Sequence, residues 1–112
     1  MMLEIEVQEI GEDTAAIFLS GEMDIYSSPR LLEEISALVE RGRPFIALDL
    51  SALSYMDTAG LATMSAGVKE VHEAGGYIRL ISPPPAVMKV MRFWELEQSL
   101  QAFESLEEAL AK

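Results

Sequence analysis

The sequence predicts an α/β domain with a mixed, mostly parallel β-sheet, an N-terminal hairpin at its edge and about four helices. Short apolar runs alternate with longer amphipathic stretches in the order β-β-α-β-α-β-α-β-α. Glycines and prolines separate these segments. A chain of 112 residues is long enough for one packed core and short for two, so we expect residues 1–112 to form a single domain.

The hairpin is predicted from two runs near the start of the chain. Apolar and polar residues alternate over residues 3–8, which is typical of a strand with one solvent-exposed face. Residues 11–13 suit a turn, and the run TAAIFLS at 14–20 predicts a second, more buried strand.

A helix and a buried strand should follow. Ser27 or Ser28 can cap the helix, with Pro29 at its first position and Gly42 as its stop. The run PFIALDL at 44–50 is typical of a parallel strand buried on both faces, and it implies a right-handed crossover.

A second helix is predicted from Thr58 to Ala74, ended by the glycines at 75–76. At about 100° per residue, one apolar stripe should face the sheet. Its members are Leu61, Met64, Val68, Val71 and Gly75. Beside it runs a row of small and polar residues headed by Thr58: Ala62, Ser65, Lys69 and His72.

The remaining elements are a strand at 77–82, a helix begun by the prolines 83–85, a short strand at about 99–103 and a last helix. Ser105 and Glu108 have capping-box spacing for that helix. The third helix carries apolar residues that could form an exposed docking stripe, although we expect them to pack in the core. They are Met88, Met91, Phe93 and Trp94.

Composition excludes several classes of function. The chain has no cysteine, so disulfides and thiolate chemistry are absent. The chain has 19 acidic and 8 basic residues and a net charge of −11, so we expect no binding to nucleic acid. This negative charge suits a partner with a basic surface, or it simply keeps the protein soluble. No apolar run approaches the ~20 residues that a membrane span needs, and the acidic start is unlike a signal peptide. We therefore expect a cytoplasmic protein with no membrane insertion, no cofactor and no metal.

The stretch YMDTAGLA at 55–62 leaves two interpretations of Thr58 open. Thr58 can cap or start the second helix, or its hydroxyl can be presented to another protein for modification. Its place at a helix N-terminus and at the carboxyl end of a buried strand suits an anion such as phosphate. The small side chains of Ala59 and Gly60 would let another protein approach closely.

The whole chain resembles a STAS domain of the bacterial anti-sigma factor antagonist family. The matching segments are SGEMDIYSSPRL at 20–31, LDLSALSYMDTAGLATM at 48–64 and SLEEAL at 105–110. The resemblance implies partner switching. An unphosphorylated antagonist binds an anti-sigma factor that is also an ATP-dependent Ser/Thr kinase, phosphorylation separates the two proteins, and a phosphatase resets the switch.

By position, the resemblance implies that Thr58 is the phosphate acceptor, with Asp57 before it and Asp24 in the neighbouring loop. The partner-binding surface implied in this way comprises Asp24, Asp57, Thr58, Ala59, Gly60, Ala62 and Ser65. We expect a monomer or weak dimer.

Departures from the family pattern leave an alternative open. Simple antagonists usually have serine where this chain has Thr58, and Ala59 replaces a second hydroxyl residue. The chain could instead be an unphosphorylated scaffold subunit of a stressosome-like or lipid-transport assembly. An enzyme is disfavoured, because His72 lies about four helical turns from Thr58 and no phosphate-binding or hydrolase motif occurs.

Overall fold

Five strands form one mixed sheet in the order β1-β2-β3-β4-β5, so each strand lies beside its neighbour in sequence. The computed structural model describes residues 2–93 and 100–111. The strands are β1 Glu4–Ile10, β2 Thr14–Met23, β3 Phe45–Met56, β4 Tyr77–Ile81 and β5 Gln101–Phe103. The helices are α1 Ser28–Glu40, α2 Thr58–Glu73, α3 Pro85–Phe93 and α4 Leu106–Leu110. β1 runs antiparallel to β2, and the other pairs are parallel. The predicted fold class is confirmed.

The core lies mainly on one face of the sheet. Alternate residues of β2, β3 and β4 pack there against α1, α2 and α3. The opposite face carries a smaller cluster, in which Ala47 and Ile81 pack against Ala109 of α4. The sheet is therefore covered by three helices on one side and by one short helix on the other.

β2 and β3 are longer than their apolar runs indicate. β3 was expected to end at Leu50 but continues to Met56, because its second half pairs with β2. Two register shifts, between Phe18 and Ser20 and between Gly21 and Glu22, accommodate this pairing. The mixed burial of residues 51–56 obscures the strand pattern in the sequence.

The ends of α1 were predicted, with two corrections at its N-terminus. Gly42 adopts φ 76° directly after the last turn, the left-handed conformation that commonly ends a helix. At the other end, Ser27 occupies the N-cap position but its side chain makes no capping hydrogen bond. Pro29 is the second helical residue and not the first, because the helix already begins at Ser28.

The apolar stripe of α2 faces the core as predicted, except at its end. Leu61, Met64, Val68 and Val71 are buried. Gly75 is exposed, because the helix ends at Glu73 and Gly75 turns the chain with φ 84°. The buried residues Gly60, Thr63 and Gly67 complete the inward surface.

α3 packs its apolar side inward. Val87 and Met91 are buried, and Met88 packs against the core, which confirms core packing over a docking stripe for these residues. The side chain of Phe93, Trp94 and the predicted strand residue Ser99 lie outside the described residues.

Candidate functional site

Two loops meet where β2 and β3 end. Met23 and Met56 are paired as the last residues of the two strands, and the Asp57 N–H donates to the Met23 carbonyl at 3.3 Å. Asp24 and Asp57 directly follow this pair. Because the strands are parallel, both acidic residues and Thr58 lie at the carboxyl edge of the sheet, where open α/β sheets place their sites.

Asp57, and not Thr58, caps helix α2. Its carboxylate accepts a hydrogen bond from the Gly60 N–H at 3.0 Å, and its backbone is extended, as at a regular N-cap. Thr58 is the first helical residue and is exposed. Among the described residues, its hydroxyl has no hydrogen-bond partner. Helix initiation therefore does not depend on the Thr58 hydroxyl.

Gly60 has a different role from the one expected. It is buried, and a Cβ placed on it would lie 2.7 Å from Met56 Cγ and 3.1 Å from the Met23 carbonyl oxygen. The missing side chain lets the first turn of α2 pack tightly on the two strand ends. It does not clear space on the outer surface for a partner.

Asp24 is held in a compact loop ahead of α1. Its carboxylate oxygen Oδ1 accepts hydrogen bonds from the Ser27 hydroxyl at 2.9 Å, the Ser27 N–H at 2.9 Å and the Tyr26 N–H at 3.0 Å. These bonds, with the Ser27 hydroxyl first, lower the pKa of Asp24 below its ordinary value. The Ser27 side chain is engaged in this loop, which explains why it does not cap α1. Asp24 thus presents a fixed negative charge beside the start of α2.

The other predicted surface residues lie on the outer side of α2. Ala59 is half-buried, and Ala62 and Ser65 are exposed. His72 is exposed in the last turn, far from Thr58 along the helix. Asp49 of β3 accepts hydrogen bonds from the Ser51 N–H at 2.8 Å and the Ser51 hydroxyl at 2.7 Å.

The sequence did not predict the groove beside Thr58. It has a volume of about 780 Å³ and separates the start of α2 from α3. Its lining comprises Tyr55, Met56, Asp57, Thr58, Lys89, Val90 and Arg92. A signal for the α3 side existed, since Lys89 and Arg92 have the i, i+3 spacing of one helix face. Only the packing of α3 shows that this face borders the Thr58 loop.

Large apolar side chains around the two loops are exposed. Tyr26 is 88% exposed, Ile25 63% and Tyr55 49%. Ile25 and Tyr26 directly follow Asp24, and Tyr55 lines the groove with Thr58. Exposed apolar residues grouped near a site are typical of protein-binding surfaces.

Neither a metal-binding cluster nor a membrane-spanning helix is present among the described residues. Within residues 2–93 and 100–111, no group of three or more His, Cys, Asp or Glu side chains is arranged to hold a metal ion. In the same part of the chain, no helix has both the length and the apolar character needed to cross a bilayer.

Comparison with known proteins identifies the family. The STAS domain family model matches residues 4–109. The anti-sigma-B factor antagonist of Bacillus subtilis is 32% identical over 80 residues, which cover 71% of this chain and 72% of that protein. The chain therefore belongs to the STAS domain family, and its relatives there include anti-sigma factor antagonists.

Two solved structures resemble this fold closely. Unphosphorylated SpoIIAA, an anti-sigma factor antagonist, has a TM-score of 0.84 and 25% identity, with 96% of this chain and 93% of that chain covered. Phosphorylated SpoIIAA from Bacillus has a TM-score of 0.77 and 25% identity, with 96% of both chains covered. The resemblance stated from the sequence is confirmed at the level of family and fold.

Proposed function

We propose that this protein is an anti-sigma factor antagonist switched by phosphorylation of Thr58. Its unmodified form binds an anti-sigma factor that is also a Ser/Thr kinase, which frees a sigma factor. Phosphorylation ends the binding, and a phosphatase restores the unmodified form. The protein acts in the cytoplasm as a monomer or weak dimer and is a binding protein without catalytic residues of its own.

The observation that carries the proposal is the position of the Thr58 hydroxyl. It is exposed on the first residue of α2, while the neighbouring Asp57 supplies the helix cap. A kinase can therefore modify Thr58 without removing a contact that the native fold requires. The likeness of the fold to both the unphosphorylated and the phosphorylated form of SpoIIAA agrees with a modification that leaves the domain folded.

The chemical step is a phosphoryl transfer from ATP. A bond forms between the threonine Oγ1 and the γ-phosphorus, the bond from that phosphorus to the β,γ-bridging oxygen breaks, and ADP leaves. The hydroxyl proton passes to a base of the kinase. This chain supplies only the acceptor oxygen and its presentation.

Charge explains how one phosphate would separate the partners. The phosphate adds about −1.5 to −2 charge next to Asp57 and close to the Asp24 loop. In a complex, that charge would also face the acidic groups with which a kinase holds Mg²⁺. Changing the ratio of bound to free antagonist from 99:1 to 1:99 needs a difference of about 5.5 kcal/mol in binding free energy between the unmodified and phosphorylated forms. Repulsion in a desolvated interface and the loss of the hydroxyl contact both contribute to that difference.

The first test combines site mapping with partner binding. The protein isolated from its own cells, in growth and under stress, is measured by intact mass and peptide mapping. In parallel, recombinant anti-sigma factor kinases from the same organism are incubated with ATP and wild type, Thr58→Ala or Ser51→Ala. Ser51 is the control, because it is also an exposed hydroxyl residue but lies in β3, outside the predicted partner-binding surface.

We expect phosphate on Thr58 that varies with growth conditions, loss of incorporation in Thr58→Ala and normal incorporation in Ser51→Ala. Thr58→Ala should remain folded and still bind the kinase, whereas Thr58→Glu should not bind. Uniformly unmodified protein, together with elution in a very large particle, would instead favour the scaffold function. Tight kinase binding by Thr58→Glu would contradict the electrostatic account of release.

A further inference from the structure

Positive charge is scarce in this chain, and part of it lies beside Thr58. The protein has 8 lysines and arginines against 19 acidic residues. Several arginines have structural contacts: Arg30 donates to the Leu3 carbonyl, Arg43 to two carbonyls of the first hairpin and Arg79 to two carbonyls at the end of α4. Lys89 and Arg92 line the groove that contains Thr58.

The fold fixes where these two cations point. Val87 and Met91 anchor α3 in the core, which turns the side of the helix bearing Lys89 and Arg92 outward. Both residues are exposed and border the same groove as Thr58 and Asp57. An exposed lysine or arginine has a long, flexible side chain, so its charged end can approach a group added to the opposite wall.

We propose that Lys89 and Arg92 of α3 bind the phosphate on Thr58 across this groove, so that phosphorylation closes the groove within the same molecule. The inference rests on the proposed function, because it requires phosphate on Thr58. Phosphate oxygens accept charge-assisted hydrogen bonds from both cation types, and the positive end of α2 adds to the attraction.

This pairing gives phosphorylation a second effect on the partner. Repulsion alone would leave the groove open, with Tyr55 and Val90 still accessible. A phosphate bridged to α3 would cover those apolar side chains and occupy both cations. The phosphorylated protein would then present a different surface to a partner as well as a different charge.

The test uses protein in which phosphothreonine is installed at position 58 during synthesis. The phosphate is titrated by ³¹P NMR in wild type, Lys89→Gln, Arg92→Gln, the double variant and Lys69→Gln. Lys69 is the matched control, because it is an exposed lysine on α2 that does not line the groove. It lies 11 residues from Thr58, roughly 16 Å along the helix, which is beyond the ~8 Å screening length at physiological salt.

Nearby cations favour the more highly charged phosphate, so they lower its second pKa from about 6. We expect the midpoint to rise by about half a pKa unit or more in the double variant, with smaller rises in the single variants. Lys69→Gln should leave it unchanged, and the difference should shrink in high salt. Thermal unfolding of the unphosphorylated variants checks that they remain folded.

An equal midpoint in wild type and the double variant would overturn the proposal. A rise in only one single variant would overturn the two-cation arrangement and assign the pairing to that residue. Because the phosphate is installed without a kinase, these outcomes do not depend on whether Thr58 is modified in cells. Failure of the proposed function would appear separately, as absence of phosphate in the mapping experiment.

Discussion

The two edges of the sheet formed by the starts and by the ends of its parallel strands use their side chains in opposite ways. At the edge where β2 and β3 begin, Arg43 donates to the carbonyl oxygens of Ile10 at 3.3 Å and Thr14 at 2.8 Å, and pairs with Glu9 at 3.1 Å. At the edge where these strands end, Thr58 is exposed and its hydroxyl has no partner among the described residues.

This difference indicates that one edge stabilises the sheet and the other is available to bind a partner. The strand-start edge is tied together by polar groups and close backbone contacts. At the carboxyl edge, the carboxylates of Asp24 and Asp57 accept hydrogen bonds from residues that follow them closely in the sequence. The large apolar side chains exposed there are Ile25, Tyr26 and Tyr55. We therefore expect substitutions at the first edge to lower stability most, and substitutions at the second to change binding more than stability.

The largest expected effect on stability is that of Gly76→Ala at the strand-start edge. A Cβ at Gly76 would lie 2.0 Å from the Pro44 carbonyl oxygen, so the backbone would have to move. We expect a loss of about 3 kcal/mol in the free energy of unfolding, measured by urea denaturation.

Gly60→Ala is the counterpart at the carboxyl edge. Its nearest contacts would be Met56 Cγ at 2.7 Å and the Met23 carbonyl oxygen at 3.1 Å, which are less close than the contact at Gly76, so we expect a smaller loss of about 1 kcal/mol. Equal losses in the two variants would contradict the difference between the edges.

Arg43→Ala should have the largest effect on stability after Gly76→Ala. Arg43 is largely buried and donates to two backbone carbonyls, so its removal should cost about 2 kcal/mol. Arg41 pairs with the same Glu9 at 3.0 Å but is half exposed, so Arg41→Ala should cost less than ~0.5 kcal/mol. If both variants lost the same stability, the ion pairs and not the carbonyl contacts would be holding this edge.

Asp57→Ala tests the cap at the carboxyl edge. Loss of the hydrogen bond to the Gly60 N–H should lower the free energy of unfolding by about 1 kcal/mol in urea denaturation. Asp57→Asn keeps a capping oxygen and should be nearly neutral. A full loss in Asp57→Asn would mean that the charge of Asp57, and not its capping bond, stabilises α2.

The smallest effect is the pH dependence contributed by Asp24. Hydrogen bonds to the ionised carboxylate place its pKa below the ordinary aspartate value of 3.8. Because the folded pKa is depressed, Asp24 stabilises the native state above pH 3.8, and this contribution is lost as the pH falls through the folded pKa. An NMR titration of the Asp24 carboxyl carbon should give a midpoint below 3.8.

Asp24→Asn is the control for that titration. The variant should lose the part of the acid dependence of stability that lies between the folded and unfolded pKa of Asp24. A midpoint at or above 3.8 in wild type would show that the Ser27 and Tyr26 contacts do not form in solution.

Local sequence patterns predicted most of the elements and the position of Thr58. Strand alternation, helical periodicity and the glycines at 42 and 75–76 act within a few residues of each other, so they can be interpreted without the fold. The same patterns could not assign Gly60, since a small residue at a helix start is compatible with an inward or an outward position. They predicted Ser27 or Ser28 as the N-cap of α1, and did not predict the hydrogen bond from the Ser27 hydroxyl to Asp24.

Local sequence patterns specify the α/β order, the hairpin and a hydroxyl at the first turn of α2. Turn residues and apolar spacing encode these features directly. Three other features arise only when the chain folds: the extension of β3 to Met56, the inward packing of Gly60, and the groove between Thr58 and the α3 residues Lys89 and Arg92. Each depends on contacts between distant parts of the chain, and the packing of β2, β3 and α3 against one core brings those parts together.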